Sequence, residues 1–119
     1  MEKEVITIKK IFSFDAAHKL PWHKGKCQFL HGHTYKLEVY ARGELDQNKM
    51  VIDFGDLKAL VKEVVLDKYD HKFLNDFFGD YTTAENMVSI ILKDLKAKEN
   101  KIIRVILWEQ IDSSAAIAE

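Results

Sequence analysis

Cys27-Gln-Phe-Leu-His31-Gly-His33-Thr-Tyr-Lys-Leu-Glu-Val-Tyr-Ala41 decides how this chain is read. Tyr35, Leu37, Val39 and Ala41 alternate with Lys36, Glu38 and Tyr40, the two-residue period of a strand with one apolar face. His31 and His33 share the parity of Tyr35 and Leu37. The strand therefore starts with two imidazoles side by side on that face. Gly32 between them has no side chain, so backbone or ligand can approach closely. A third histidine, His18, follows the apolar run Phe12-Ser-Phe14-Asp-Ala-Ala. Three neutral imidazoles with an open fourth position are the ligand set of a catalytic zinc. Cys27 lies four residues before His31, in a loop. It is either a fourth ligand that closes a structural site or a free thiol that serves as base or nucleophile.

The elements on either side of this strand follow from period and punctuation. Val5 to Phe14 is rich in β-branched and aromatic residues and reads as a first strand. Leu20-Pro21-Trp22 opens a long loop that runs to Phe29, and long loops in small domains are often functional. Met50-Val-Ile-Asp53 reads as a short return strand that makes a hairpin with the strand ending at Ala41. Phe54, Leu57, Leu60, Val61, Val64 and Val65 fall on one helical face, with Asp53 as cap. Met87, Val88, Ile91, Leu92 and Leu95 supply the stripe of a second helix, and Thr82-Thr-Ala-Glu85 fits the capping-box pattern. Ile102 to Trp108 and Ser113 to Ala118 read as closing strands. The pattern predicts an α+β fold, an antiparallel sheet with both helices on one face. The other face is then apolar and exposed, which suggests that subunits cover it.

Bulk properties narrow the function. The chain has 119 residues, which fits one domain over residues 1–119. A formal net charge of −1 gives no general pull toward nucleic acid or an anionic membrane. No apolar run approaches the roughly 20 residues that span a bilayer. The single cysteine forms no internal disulfide and points to a reducing compartment, the cytoplasm.

Three further features carry chemistry. In Asp70-His71 a carboxylate can orient an imidazole that exchanges protons with the Cys27 thiol, although Asp-His is a common pair. Glu109 ends an apolar strand after Trp108; it is a solvated strand end or a pocket carboxylate that accepts two N–H bonds from a guanidine-like edge. Thr82 and Thr83 are explained by helix capping. Lys19, Lys24, Lys26 and Lys36 can meet an anionic substrate or merely solvate the surface.

Taken in order, six motifs resemble the 6-pyruvoyltetrahydropterin synthase family, which includes the bacterial 6-carboxytetrahydropterin synthases of queuosine biosynthesis. They are Phe14-Asp-Ala-Ala-His18, Cys27-x-x-x-His31-Gly-His33 and Val51-Ile-Asp53-Phe54-x-x-Leu57-Lys58, followed by Asp70-His71-x-x-Leu74-Asn75, Thr82-Thr-Ala-Glu85-Asn86 and Trp108-Glu109. The resemblance implies a tunnelling fold: a four-stranded antiparallel sheet with two helices on one side, joined into a trimeric barrel and stacked as a homohexamer, a dimer of trimers. It implies zinc on His18, His31 and His33, Cys27 as general base, and Asp70 and His71 as its proton relay. Glu109 would anchor the pterin, with Thr83 nearby. The implied substrate is 7,8-dihydroneopterin triphosphate, in sites shared between subunits. The queuosine branch gives 6-carboxy-5,6,7,8-tetrahydropterin, triphosphate and acetaldehyde; the biopterin branch gives 6-pyruvoyltetrahydropterin. The short chain favours the queuosine branch. Some relatives replace the catalytic Cys with Glu and make a folate precursor, and Cys27 argues against that variant. A structural zinc module without catalysis is the distant alternative.

Overall fold

The computed structural model of the chain describes residues 4–119. Two long strands, β1 (Val5–His18) and β2 (His31–Glu44), form an antiparallel ladder along their whole length. The register runs from Val5 opposite Glu44 to His18 opposite His31. β4 (Ile102–Gln110) pairs antiparallel with β2, and β5 (Ser114–Ala118) with β4. A two-residue strand, β3 (Lys72–Phe73), joins the outer side of β1 in parallel, so the order is β3-β1-β2-β4-β5. Among the described residues the sheet thus has five strands, not the expected four. The fifth is too short to show any period, and it is set by two pairings with Ala16 and Ala17.

Met50-Asp53 is not a strand. Both edges of β2 are already taken, by β1 and β4, so no ladder position is open beside it. The hairpin is instead β1–β2. Val51 still packs into the core, and Asp53 caps α1 (Phe54–Val61), its Oδ1 accepting from the amides of Gly55 at 2.8 Å and Asp56 at 3.2 Å. The helix continues through a π turn, Lys62–Leu66, into α2 (Asp67–Tyr69). After the short α3 (Asn75–Phe78), α4 (Ala84–Lys98) is capped by Thr83, whose hydroxyl accepts from the amide of Asn86 at 3.1 Å. The expected capping box is therefore off by one residue: Glu85 lies one position too early to complete it.

One face of the sheet holds the core. Phe12, Phe14 and Ala16 of β1, Tyr35, Leu37 and Val39 of β2, and Val105 and Leu107 of β4 meet Leu57, Val61 and Val65 beneath the first helix and Met87, Ile91 and Leu95 beneath α4. Each Val, Leu, Ile, Phe or Met among them contributes about 1.5–3 kcal/mol by leaving water. The opposite face is mixed rather than apolar. Ile11 and Ile117 are exposed there, but Glu38 is buried among polar partners: Trp108 Nε1 donates to it at 2.6 Å and Lys9 Nζ lies 3.5 Å away. Lys9 and Arg104 flank the Tyr40 ring. No helix among the described residues is long and apolar enough to cross a membrane.

Candidate active site

The β1–β2 register assembles the histidines. His18 stands directly across from His31, and directly opposed residues of an antiparallel pair share a face. His33, two residues on, shares that face as well. Each of the three offers a ring nitrogen, and these atoms all lie within 4.8 Å of one another. The rings meet edge to face, with centroids 4.6 Å apart for His18–His31, 5.1 Å for His18–His33 and 4.9 Å for His31–His33.

Hydrogen bonds settle two tautomers. His18 Nδ1 lies 2.9 Å from the main-chain oxygen of Thr82 and 3.1 Å from its hydroxyl. A carbonyl only accepts, so Nδ1 carries the proton and Nε2 keeps its lone pair. The Thr82 hydroxyl sends its own proton to the Lys19 carbonyl, 3.2 Å away. His31 Nδ1 donates in the same way to the carbonyl of Phe29 at 2.7 Å. The Nε2 atoms of His18 and His33 are buried with no hydrogen-bond partner among the described residues. Such orphaned nitrogens are rare unless a ligand satisfies them.

The electrostatics suit a cation. Burial lowers the pKa of His18, opposed first by its bond to Thr82 and then by Glu109, and that of His33, opposed by Glu109, so burial favours the neutral imidazoles that a metal needs. Glu109 extends from β4 to within 3.6 Å of His33 Nε2. Tyr35 lies beneath, its ring centroid 5.5 Å from that of His33, and burial pushes its phenol up. Its hydroxyl is another buried orphan. Three histidines on one face can therefore hold a metal ion, with a carboxylate beside it.

The remaining expected residues are not in this group. Cys27 lies half-buried in a single 3₁₀ turn, Lys26–Gln28, of the β1–β2 loop. Its carbonyl accepts from the amide of Leu20 at 2.7 Å, which closes the loop. Its sulfur is not one of the converging ligand atoms. Glu109 lines a cavity of about 540 Å³ together with Ala84, Glu85, Val88 and Ser114. Thr83, the α4 cap, precedes the lining residue Ala84 in the chain.

Asp70 and His71 follow α2 and form a second cluster with Asp15. His71 Nδ1 lies 3.0 Å from Asp70 Oδ1, and His71 adopts a positive φ of 61°, which is uncommon outside glycine. The Asp15 amide donates to Asp70 Oδ1 at 3.0 Å and is the main cause of a lowered Asp70 pKa, ahead of His71.

Two contributors escaped the sequence reading. Thr82 orients His18 from 64 residues away, a contact that spacing cannot reveal. Asp15 sits inside the first metal motif, where the histidine draws attention; its parity, opposite to that of His18, was the only available signal.

Residues 7–119 match the family described as 6-pyruvoyl tetrahydropterin synthase. A Haemophilus influenzae protein named 6-carboxy-5,6,7,8-tetrahydropterin synthase is 48% identical over 95 residues, which is 76% of this chain and 65% of its own length. An Archaeoglobus fulgidus protein that bears the same name provisionally is 44% identical over 117 residues, 98% of each chain. The Caenorhabditis elegans 6-pyruvoyl tetrahydropterin synthase structure superposes with a TM-score of 0.88 at 28% identity, over 100% of this chain and 99% of that one.

Proposed function

This chain belongs to the 6-pyruvoyl tetrahydropterin synthase family, and from that premise we infer that it is a single-domain lyase acting on 7,8-dihydroneopterin triphosphate. The product is 6-carboxy-5,6,7,8-tetrahydropterin, with release of triphosphate and acetaldehyde, as the names of its similar relatives suggest. The observation that carries the reading is the convergence of His18, His31 and His33, while Cys27 stays outside their group. That arrangement favours an open catalytic site over a closed structural one.

The donor set fits zinc. Two rings present Nε2 because Nδ1 is committed to a main-chain carbonyl, an orienting bond typical of metal-bound histidine. When bound, the ion supplies Lewis-acid stabilisation of the enolate-like charge on the substrate side chain. Glu109 anchors the pterin by accepting from its amino group and ring N–H, with Thr83 nearby. Cys27 removes the side-chain proton. Asp70 holds the Nδ1–H of His71, which leaves Nε2 free to take that proton onward.

Cys27 and Asp70-His71 would be brought together between copies of the chain. Both edges of the sheet are available for that: among the described residues β5 has no outer neighbour, and β1 is covered on its outer side only at Ala16 and Ala17. A barrel built from these edges, as a dimer of trimers, is the assembly proposed. A cytoplasmic setting suits the single reduced thiol.

The test is incubation of zinc-loaded protein with 7,8-dihydroneopterin triphosphate, with products read by mass. Carboxytetrahydropterin with acetaldehyde supports the reading. Pyruvoyltetrahydropterin would keep the site and move the chain to the biopterin branch. No consumption with zinc present would overturn it.

A further inference from the structure

We propose that Asp15 is a positioning residue for the Asp70–His71 pair, holding it from both sides and setting a second carboxylate against the His71 ring. The proposal rests on the reading of His71 as a proton relay. Three contacts carry it. The Asp15 amide donates to Asp70 Oδ1 at 3.0 Å, and the Asp15 carbonyl accepts from the His71 amide at 2.6 Å. One residue's peptide groups thus bracket the dipeptide and hold His71 in its left-handed backbone conformation, φ 61°. The Asp15 carboxylate is in turn fixed by Thr34, directly across the ladder, whose hydroxyl donates to Oδ1 at 2.5 Å.

Fixed in this way, a carboxylate oxygen of Asp15, one of Asp70 and a ring nitrogen of His71 all lie within 4.8 Å of one another. Asp15, Thr34 and His71 also line one open cavity of about 610 Å³ with Gly32, Lys72 and Phe73. When His71 Nε2 accepts a proton, the ring becomes a cation facing two carboxylates. Asp70 orients the ring through Nδ1; Asp15 adds charge and fixes the backbone. Proton transfer through His71 is therefore favoured without Asp15 touching substrate.

The discriminating variant is Asp15→Asn, which keeps the backbone contacts, the size and an acceptor for Thr34. Its kcat is expected to fall about fivefold, the effect of one unit charge at this range in a water-like medium, with KM and zinc content unchanged. His71→Ala is measured alongside. Wild-type kcat in Asp15→Asn, with His71→Ala inactive, would overturn the proposal and leave the relay standing. Full activity in His71→Ala would overturn the relay itself. A raised KM or lost zinc in Asp15→Asn would mean a structural role and would also overturn the proposal. Should Asp15→Asn not fold, Thr34→Val releases the carboxylate while keeping its charge. It is expected to lower kcat at least twofold with KM unchanged, and a wild-type kcat there counts against the proposal.

Discussion

His18 Nδ1 donates to the main-chain oxygen of Thr82 across 2.9 Å, and this bond between the end of β1 and the residue before the α4 cap fixes which ring nitrogen His18 can offer. The Thr82 hydroxyl reinforces it at 3.1 Å. Orienting bonds of this kind typically change metal affinity 10- to 100-fold when removed. Thr82→Val keeps the carbonyl and loses only the hydroxyl. Its zinc affinity, measured by competition with a chelator, should fall by about tenfold, with the fold intact by circular dichroism.

Acid should weaken both the metal-free fold and metal binding. Burial holds His18 and His33 below the ordinary histidine value of 6.5. Below 6.5 the unfolded chain takes up protons that the folded rings resist. Their contribution to stability is therefore complete above 6.5 and is lost as pH falls from 6.5 through the lower folded values. The melting temperature of the metal-free protein should drop across that window, and His18→Gln should flatten part of the drop. Zinc affinity should decline in the same direction, because the ligands must be unprotonated.

Glu109→Gln tests the anchor. A neutral amide accepts one bond where the carboxylate accepts two charge-assisted ones, each worth about 1.5–3 kcal/mol. KM for the pterin substrate should rise at least tenfold. The three-histidine cluster should keep zinc, since Glu109 lies 3.6 Å from His33 Nε2 without a hydrogen bond.

The helix cap at Asp53 offers a check on the fold alone. Its Oδ1 satisfies two amides at the start of α1. Asp53→Ala should lower stability by about 1 kcal/mol in denaturant unfolding and leave turnover of the folded protein unchanged.

What the sequence reveals and what it conceals divide along physical lines. The parity of His31 and His33 with Tyr35 and Leu37 is a local, period-two property, and the strand keeps it. The stripe from Met87 to Leu95 is equally local, and all five of its residues are buried. Met50-Asp53 misled because its composition suits a strand while both sides of β2, its expected partner, are already taken by β1 and β4. Asp46 instead closes the turn, its Oδ1 accepting from the amides of Asn48 and Met50. The two-residue β3 is set by pairing with Ala16 and Ala17, beside the Asp15–Asp70 contact that spans 55 residues of sequence. Thr82 looked like a capping residue because its neighbour is one. Contacts of that range leave no period to read.

The central claim is an open three-histidine site with Cys27 outside it, and alkylation of the zinc-loaded protein tests this most directly. Zinc content and the mass of the Cys27 peptide would be followed during treatment with iodoacetamide. The account predicts one zinc per chain, Cys27 alkylated as fast with zinc as without it, and zinc retained afterwards. Protection of Cys27 by zinc, or zinc lost as the thiol reacts, would make Cys27 a ligand and contradict the account.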